Sequence, residues 1–119
     1  MSVLVKQGVE FAVIAPGGFL ILQAVKAASK SLGFDLTITS GTDGVHSGPL
    51  DPHRTGEAFD VRSNDLAHDQ KVAVLNAVMS GLELGRFYGF LEGMGSPDEH
   101  FHFQRSKNTT FTALDLLNA

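Results

Sequence analysis

Cysteine is absent from all 119 residues. That removes disulfides and thiolate metal sites together, and any bound metal must be held by His, Asp or Glu. A basic excess is missing as well: nine Lys and Arg stand against thirteen Asp and Glu, for a formal charge of −4 and a pI near 5.6. Nucleic-acid modules grip phosphates with clustered positive charge, so a scattered and outnumbered basic set argues against that class. Long hydrophobic runs are lacking too. The most apolar window, Phe19–Leu22 with Ala24 and Val25, is interrupted by Gln23 and Lys26 and falls short of the roughly 20 residues of a membrane span. Met1 to Lys6 places one Lys among a few apolar residues and continues into Gln7, Gly8 and Glu10, which does not read as a signal peptide. There is no internal repeat or low-complexity tract. The remainder, 43% hydrophobic and 18% charged, is expected to form one soluble domain over residues 1–119.

Gly and Pro divide the chain into readable elements. A helix is predicted over roughly Gly18 to Leu32, opened near Pro16 and stopped by Gly33, with Leu22, Val25, Ala28 and Leu32 as its apolar stripe. Phe34 to Thr39 alternates with period two and reads as a strand whose Phe34, Leu36 and Ile38 face the core. Ser40 to Arg54 turns to Gly, Asp, Ser, Pro and His, a long loop of a kind more often functional than idle. A strand around Glu57–Val61 follows. A second helix, capped by Ser63 or Asn64 with Asp65 and Asp69 near its positive end, runs to about Ser80 and packs Leu66, Val72, Leu75, Val78 and Met79 inward. Phe87 to Glu92 and His100 to Gln104 are two further strands, joined through Gly93–Pro97. This order implies an α+β fold, mostly antiparallel, with two main helices.

Two short runs carry the chemistry: His53-Arg-Thr-Gly-Glu-Ala-Phe-Asp60 and Glu99-His-Phe-His102. Strand faces alternate, so Asp60 shares a face with Ala58 and opposes Phe59 and Val61, while His100 and His102 oppose Phe101 and Phe103. Aromatic faces would pack and polar faces would meet. Gly56 and Pro52 argue for a loop that folds His53 back over the strand. His53, Asp60 and one of the His100/His102 pair can then converge on one ion, and three protein ligands leave a fourth position for water. Glu99 offers a spare carboxylate as proton acceptor, provided it sits in a bend before its strand, since its parity is opposite to that of His102. His68 reads as a solvated helix residue and Glu92 as a structural one.

The pattern His-x-x-Gly-x-Ala-x-Asp, followed by an acidic residue three positions before a His within His-x-His, resembles the zinc D-Ala-D-Ala carboxypeptidases and related peptidoglycan endopeptidases of the hedgehog-like fold. The likeness spans roughly Leu36 to Gln104. It implies a zinc metallopeptidase with His53, Asp60 and His102 as metal ligands, Glu99 as general base, and His100 as a second catalytic group near substrate or developing oxyanion. Its substrate would be a peptidoglycan peptide, cut by a D,D-carboxypeptidase or an endolysin-like endopeptidase, with no nucleic acid and no membrane insertion. The Thr39–Gly44 loop with His46 resembles small phage-type members, for which a chain without a signal peptide acts in the cytoplasm or is released to the cell wall. Many members carry a Ser two residues before the first ligand and an Arg in the loop after the first strand. Here those places hold Asp51 or Pro52 and the Thr42–Asp43 region, leaving His100, His46, Arg54 or Arg62 to stabilise an oxyanion or bind a terminal carboxylate. The alternative reading is a non-catalytic, zinc-containing module that binds peptidoglycan or belongs to a virion.

Overall fold

The computed structural model describes residues 1–44, 48, 50–106, 111 and 113–117. The elements run β1 (Val3–Val5), α1 (Pro16–Leu32), β2 (Leu36–Ser40), β3 (Ala58–Arg62), α2 (His68–Ser80), β4 (Phe87–Glu92), β5 (His100–Arg105) and α3 (Ala113–Leu117). The five strands form one mixed sheet in the order β1-β2-β3-β5-β4. Among the strands of the described residues, β1 pairs in parallel with β2, whereas β2 with β3, β3 with β5 and β4 with β5 are antiparallel. The fold is thus α+β and mostly antiparallel, as expected, with β1 and the short α3 added to the predicted elements.

Burial of alternate side chains sets the sheet's two faces. Phe59, Val61, Phe101 and Phe103 are fully buried, and the ladder pairs Phe59 with Phe103 and Val61 with Phe101. Each such side chain contributes roughly 1.5–3 kcal/mol by leaving water. Ile21, Ala24, Val25 and Ala28 of α1, and Val74 and Val78 of α2, complete this core. The α1 stripe is therefore rotated from the expected one: Leu22 and Leu32 are only partly buried, and Ile21 takes the innermost place. Gly33 does stop the helix, left-handed at φ 79° with its N–H donating to the Ser29 carbonyl. Leu36 and Ile38 face the core and Phe34 packs at its edge.

Helix α2 departs from its expected start. It begins at His68, and the Gln70 side chain accepts the Ala67 N–H at 2.8 Å, which satisfies one donor of the first turn. Ser63 does not cap it, because that side chain is fully buried and donates to Glu99 at 2.8 Å. Val72 faces outward at 47% exposure, and Val74 holds the inward place assigned to it.

One close approach ties α1 to the loop that carries His53. The Ala15 N–H donates to the Gly56 carbonyl at 3.1 Å, and a Cβ on Gly18 would lie 1.9 Å from that oxygen. Gly56 itself has φ +75°, and a Cβ there would meet the Val13 carbonyl oxygen at 2.3 Å. Gly33 has a similar φ but open space around it. Gly33→Ala should therefore cost about 1–2 kcal/mol from the left-handed backbone alone, and Gly56→Ala distinctly more, as read from urea denaturation midpoints. Equal losses would show that the contact with Val13 is unimportant.

Candidate metal centre

The long connection between β2 and β3 delivers His53. Asp51 Oδ1 accepts the His53 N–H at 2.9 Å, the Asp51 carbonyl accepts the Thr55 N–H at 3.1 Å, and the Pro52 carbonyl accepts the Glu57 N–H at 2.8 Å. These bonds wind the segment into a tight turn, with Asp51 as its polar support. Asp60 and His102 arrive on neighbouring strands and sit directly opposite each other in the β3–β5 ladder.

The three side chains converge. Asp60 Oδ1 lies 3.2 Å from His53 Nε2 and 3.0 Å from His102 Nδ1, and one ligand atom from each residue falls within 4.8 Å of the others. His53 and His102 are only 7% and 9% exposed.

The outer ring nitrogens decide what the inner ones can do. His53 Nδ1 faces the Gly41 carbonyl at 3.1 Å, an acceptor only, so this nitrogen carries the proton. His102 Nε2 faces Gln104 Oε1 at 2.7 Å, while the Gln104 amide nitrogen donates to the Arg105 carbonyl at 3.4 Å. Each neutral imidazole therefore turns a lone pair inward, toward a carboxylate oxygen at contact distance. Two lone pairs and a carboxylate repel one another unless positive charge lies among them, as protons on the rings or as a cation bound by all three. Outer nitrogens engaged by a carbonyl and an amide oxygen are what a ligating histidine requires. The buried His53, Asp60 and His102 group can thus hold a metal ion.

Electrostatics point the same way. Burial opposes charge on His53 and His102, but hydrogen bonding to Asp60 outweighs it and raises both pKa values above the ordinary imidazole value. Burial alone would raise Asp60, yet its hydrogen bonds with His102 and then His53 hold it far below the usual carboxylate range. The pocket favours positive charge between these groups.

His100 stands beside this centre. Its Nδ1 lies 2.7 Å from the Asp98 carbonyl, and its Nε2 is 3.5 Å from Asp60 Oδ2 and 3.7 Å from Glu92 Oε2. Glu99 occupies the bend before β5, where its N–H donates to the Ser96 carbonyl at 3.2 Å, and it lines a polar cavity of about 440 Å³ together with Asp60, Arg62 and His100. Its carboxylate is engaged: Oε1 accepts from Lys71 Nζ at 2.6 Å and Ser63 Oγ at 2.8 Å, and Oε2 from the Gly95 N–H at 3.0 Å. Lys71 first, then the Gly95 and Ser63 donors, hold Glu99 down at about 2. Arg54 is exposed, and His46 lies outside the described residues.

Several participants were not anticipated from sequence. Gln104 shares the His102 face two residues on, a parity signal that was available. The Gly41 carbonyl and Lys71 carry no such signal in the sequence. Asp43 stands in the region where an Arg was expected; its Oδ1 accepts the Gly41 N–H at 2.8 Å and the Glu10 N–H at 3.0 Å, fixing the peptide that orients His53.

The chain matches no protein-family model, no curated protein and no solved structure.

Two outcomes are expected. His53→Ala, Asp60→Asn and His102→Ala should each reduce divalent metal to background in dialysed protein by elemental analysis, whereas Gln104→Ala should weaken binding roughly 10–100-fold. Full metal occupancy in His53→Ala would remove the assigned ligand set. The depressed Glu99 also links to folding: its contribution is present above the ordinary carboxylate value of 4.5 and is lost as pH falls toward about 2. Lys71→Met should shrink that acid-limb loss in denaturant titrations. An unchanged limb would mean that Lys71 does not control Glu99.

Proposed function

We propose that the protein is a zinc-dependent metallopeptidase that hydrolyses an amide bond in bacterial peptidoglycan peptides, as a D,D-carboxypeptidase or endolysin-like endopeptidase. The observation that carries this reading is the convergence of His53, Asp60 and His102, whose ligand atoms lie within 4.8 Å of one another, with a further carboxylate, Glu99, on the wall of the adjoining cavity. Two nitrogens and one carboxylate oxygen suit zinc and leave a coordination position open. His53, Asp60 and His102 would hold the zinc ion, which would supply Lewis acidity at a substrate carbonyl and make the attacking water more acidic. The resemblance of the two sequence runs to D-Ala-D-Ala carboxypeptidases of the hedgehog-like fold adds the substrate class by analogy.

The chain's own residues divide the remaining work. Gly41 and Gln104 hold the two imidazoles in their ligating tautomers. Glu99 takes the proton of the attacking water and returns it to the leaving amine. Its Oε2 accepts one donor, the Gly95 N–H, whereas Oε1 is shared by Lys71 and Ser63, so Oε2 is the less engaged oxygen. His100 stands where it can donate through Nε2, next to Asp60 Oδ2, to negative charge developing on substrate.

The Lys71–Ser63–Gly95 grip on Glu99 also favours a second reading, a zinc-containing module that binds peptidoglycan without cutting it. A carboxylate so fully engaged can serve simply to tie α2 to the turn before β5.

Glu99→Gln separates the two. It should lower cleavage of intact peptidoglycan by about 10²–10⁴-fold while zinc content stays stoichiometric, with released peptides followed by mass spectrometry. Full turnover in the variant would exclude Glu99 as the base. No cleaved bond from the zinc-loaded parent would leave the binding module.

A further inference from the structure

Strand β1 forms one edge of the sheet and, among the described residues, pairs with β2 alone. In this parallel ladder the Leu36 N–H donates to the Ser2 carbonyl at 3.2 Å and the Lys6 N–H to the Ile38 carbonyl at 3.0 Å. Backbone groups alternate in direction along a strand, so Ser2, Leu4 and Lys6 turn theirs to β2, and the N–H and C=O of Val3 and Val5 point outward. Among the described residues these four groups have no hydrogen-bond partner.

A groove of about 490 Å³ lies beside this edge. Val3 and Val5 line it from β1, Leu22 and Lys26 from α1, and Phe11 and Ile14 from the connection between them. Val5 and Ile14 are 51% and 45% exposed. The Val3 and Val5 side chains stand on the same face as their partners Leu36 and Ile38, which are buried in the core, so the groove continues the interior of the fold to the sheet's edge. Among the described residues, Lys26 is the one charged side chain that lines it, and it forms no ion pair. Lys6 lines the polar cavity of the metal centre instead, and groove and cavity share no lining residue.

We infer that this edge docks an extended peptide segment of another protein, which adds as a sixth strand beside β1, sets every second side chain, apolar, into the groove and places a carboxylate against Lys26. Three features converge on that occupant. Unpaired edge groups supply backbone hydrogen bonds, the groove selects alternate side chains, and the ammonium selects an acid. A second copy of this chain fits less well. It would bring its own Lys6 and Lys26 to the same edge, and lysine at an edge strand discourages pairing between identical chains. The inference is independent of the metal centre and of any hydrolysis there.

The probe is the peptide N-acetyl-VTVTE-amide, whose valines and glutamate share one face, titrated into isotope-labelled protein and followed by NMR. Shifts should saturate and be confined to β1 and the Leu22–Lys26 flank of α1, and hydrogen exchange at the Val3 and Val5 amides should slow by about ten-fold or more. The peptide N-methylated at its valines and threonines, which lacks those donors, should not bind. Replacing its glutamate by glutamine should weaken binding about two- to five-fold, and Lys26→Gln should abolish that difference. Val5→Pro removes an outward N–H and no bond to β2, so it should eliminate binding with melting temperature little changed; the N-methylated peptide covers the case in which that variant folds poorly. Absence of saturable shifts, shifts centred elsewhere, or equal binding of the N-methylated peptide overturns the site. A dimer of the parent protein in sedimentation that Val5→Pro abolishes would assign the edge to a second copy and overturn the peptide.

Discussion

The register between β3 and β5 is the constraint from which the rest of the site follows. Phe59 opposite Phe103 and Val61 opposite Phe101 fill the interior of the sheet. The same pleat places Asp60 opposite His102 on the other face. A slip of one residue would turn the aromatic side chains into the polar cavity and drive a carboxylate and imidazoles into the core. Hydrophobic burial therefore sets the distance between two prospective ligands without any help from the ion. The third is brought in by packing of another kind: Gly18 and Gly56 let helix α1 close onto the turn that bears His53.

Around the three side chains, the protein engages the atoms that face away from the centre. Asp43 holds the Gly41 peptide, Gly41 holds His53 Nδ1, and Gln104 holds His102 Nε2. These neutral acceptors hold the outer ring nitrogens, so the cost of burying polar groups is met by hydrogen bonds outside the site. Glu99 is treated differently. Its partners include the Lys71 ammonium, a full charge supplied by α2, so one helix cation governs how strongly that carboxylate holds its charge. The sheet therefore brings together the group that can hold a metal ion, and a helix regulates its neighbouring acid.

Much of this was legible in the chain. Alternation across Phe59-Asp60-Val61 and His100-Phe101-His102 is a local property, because a strand turns successive side chains to opposite faces whatever surrounds it. The absence of cysteine limited the donors to the types found. Other features were not legible because they depend on long-range partners. Ser63 has the chemistry of a helix cap, but the carboxylate of Glu99, brought close by folding, competes for its hydroxyl. Val72 fits an apolar periodicity yet faces outward, since the sheet lies on the side of α2 occupied by Val74 and Val78. Edge strand β1 is too short to announce itself and exists through its parallel pairing with β2.

The sequence by itself determined the ligand types, the faces on which Asp60 and His102 stand, and the turn that allows His53 to return over them. These follow from side-chain chemistry and backbone periodicity, which act over a few residues. Only the tertiary structure decided which nitrogen of each imidazole points inward, that Glu99 is tied to Lys71, and that Lys6 and Arg62 share a cavity with Asp60. Those depend on groups tens of residues apart meeting at hydrogen-bond distance, a relation fixed by sheet order and helix packing.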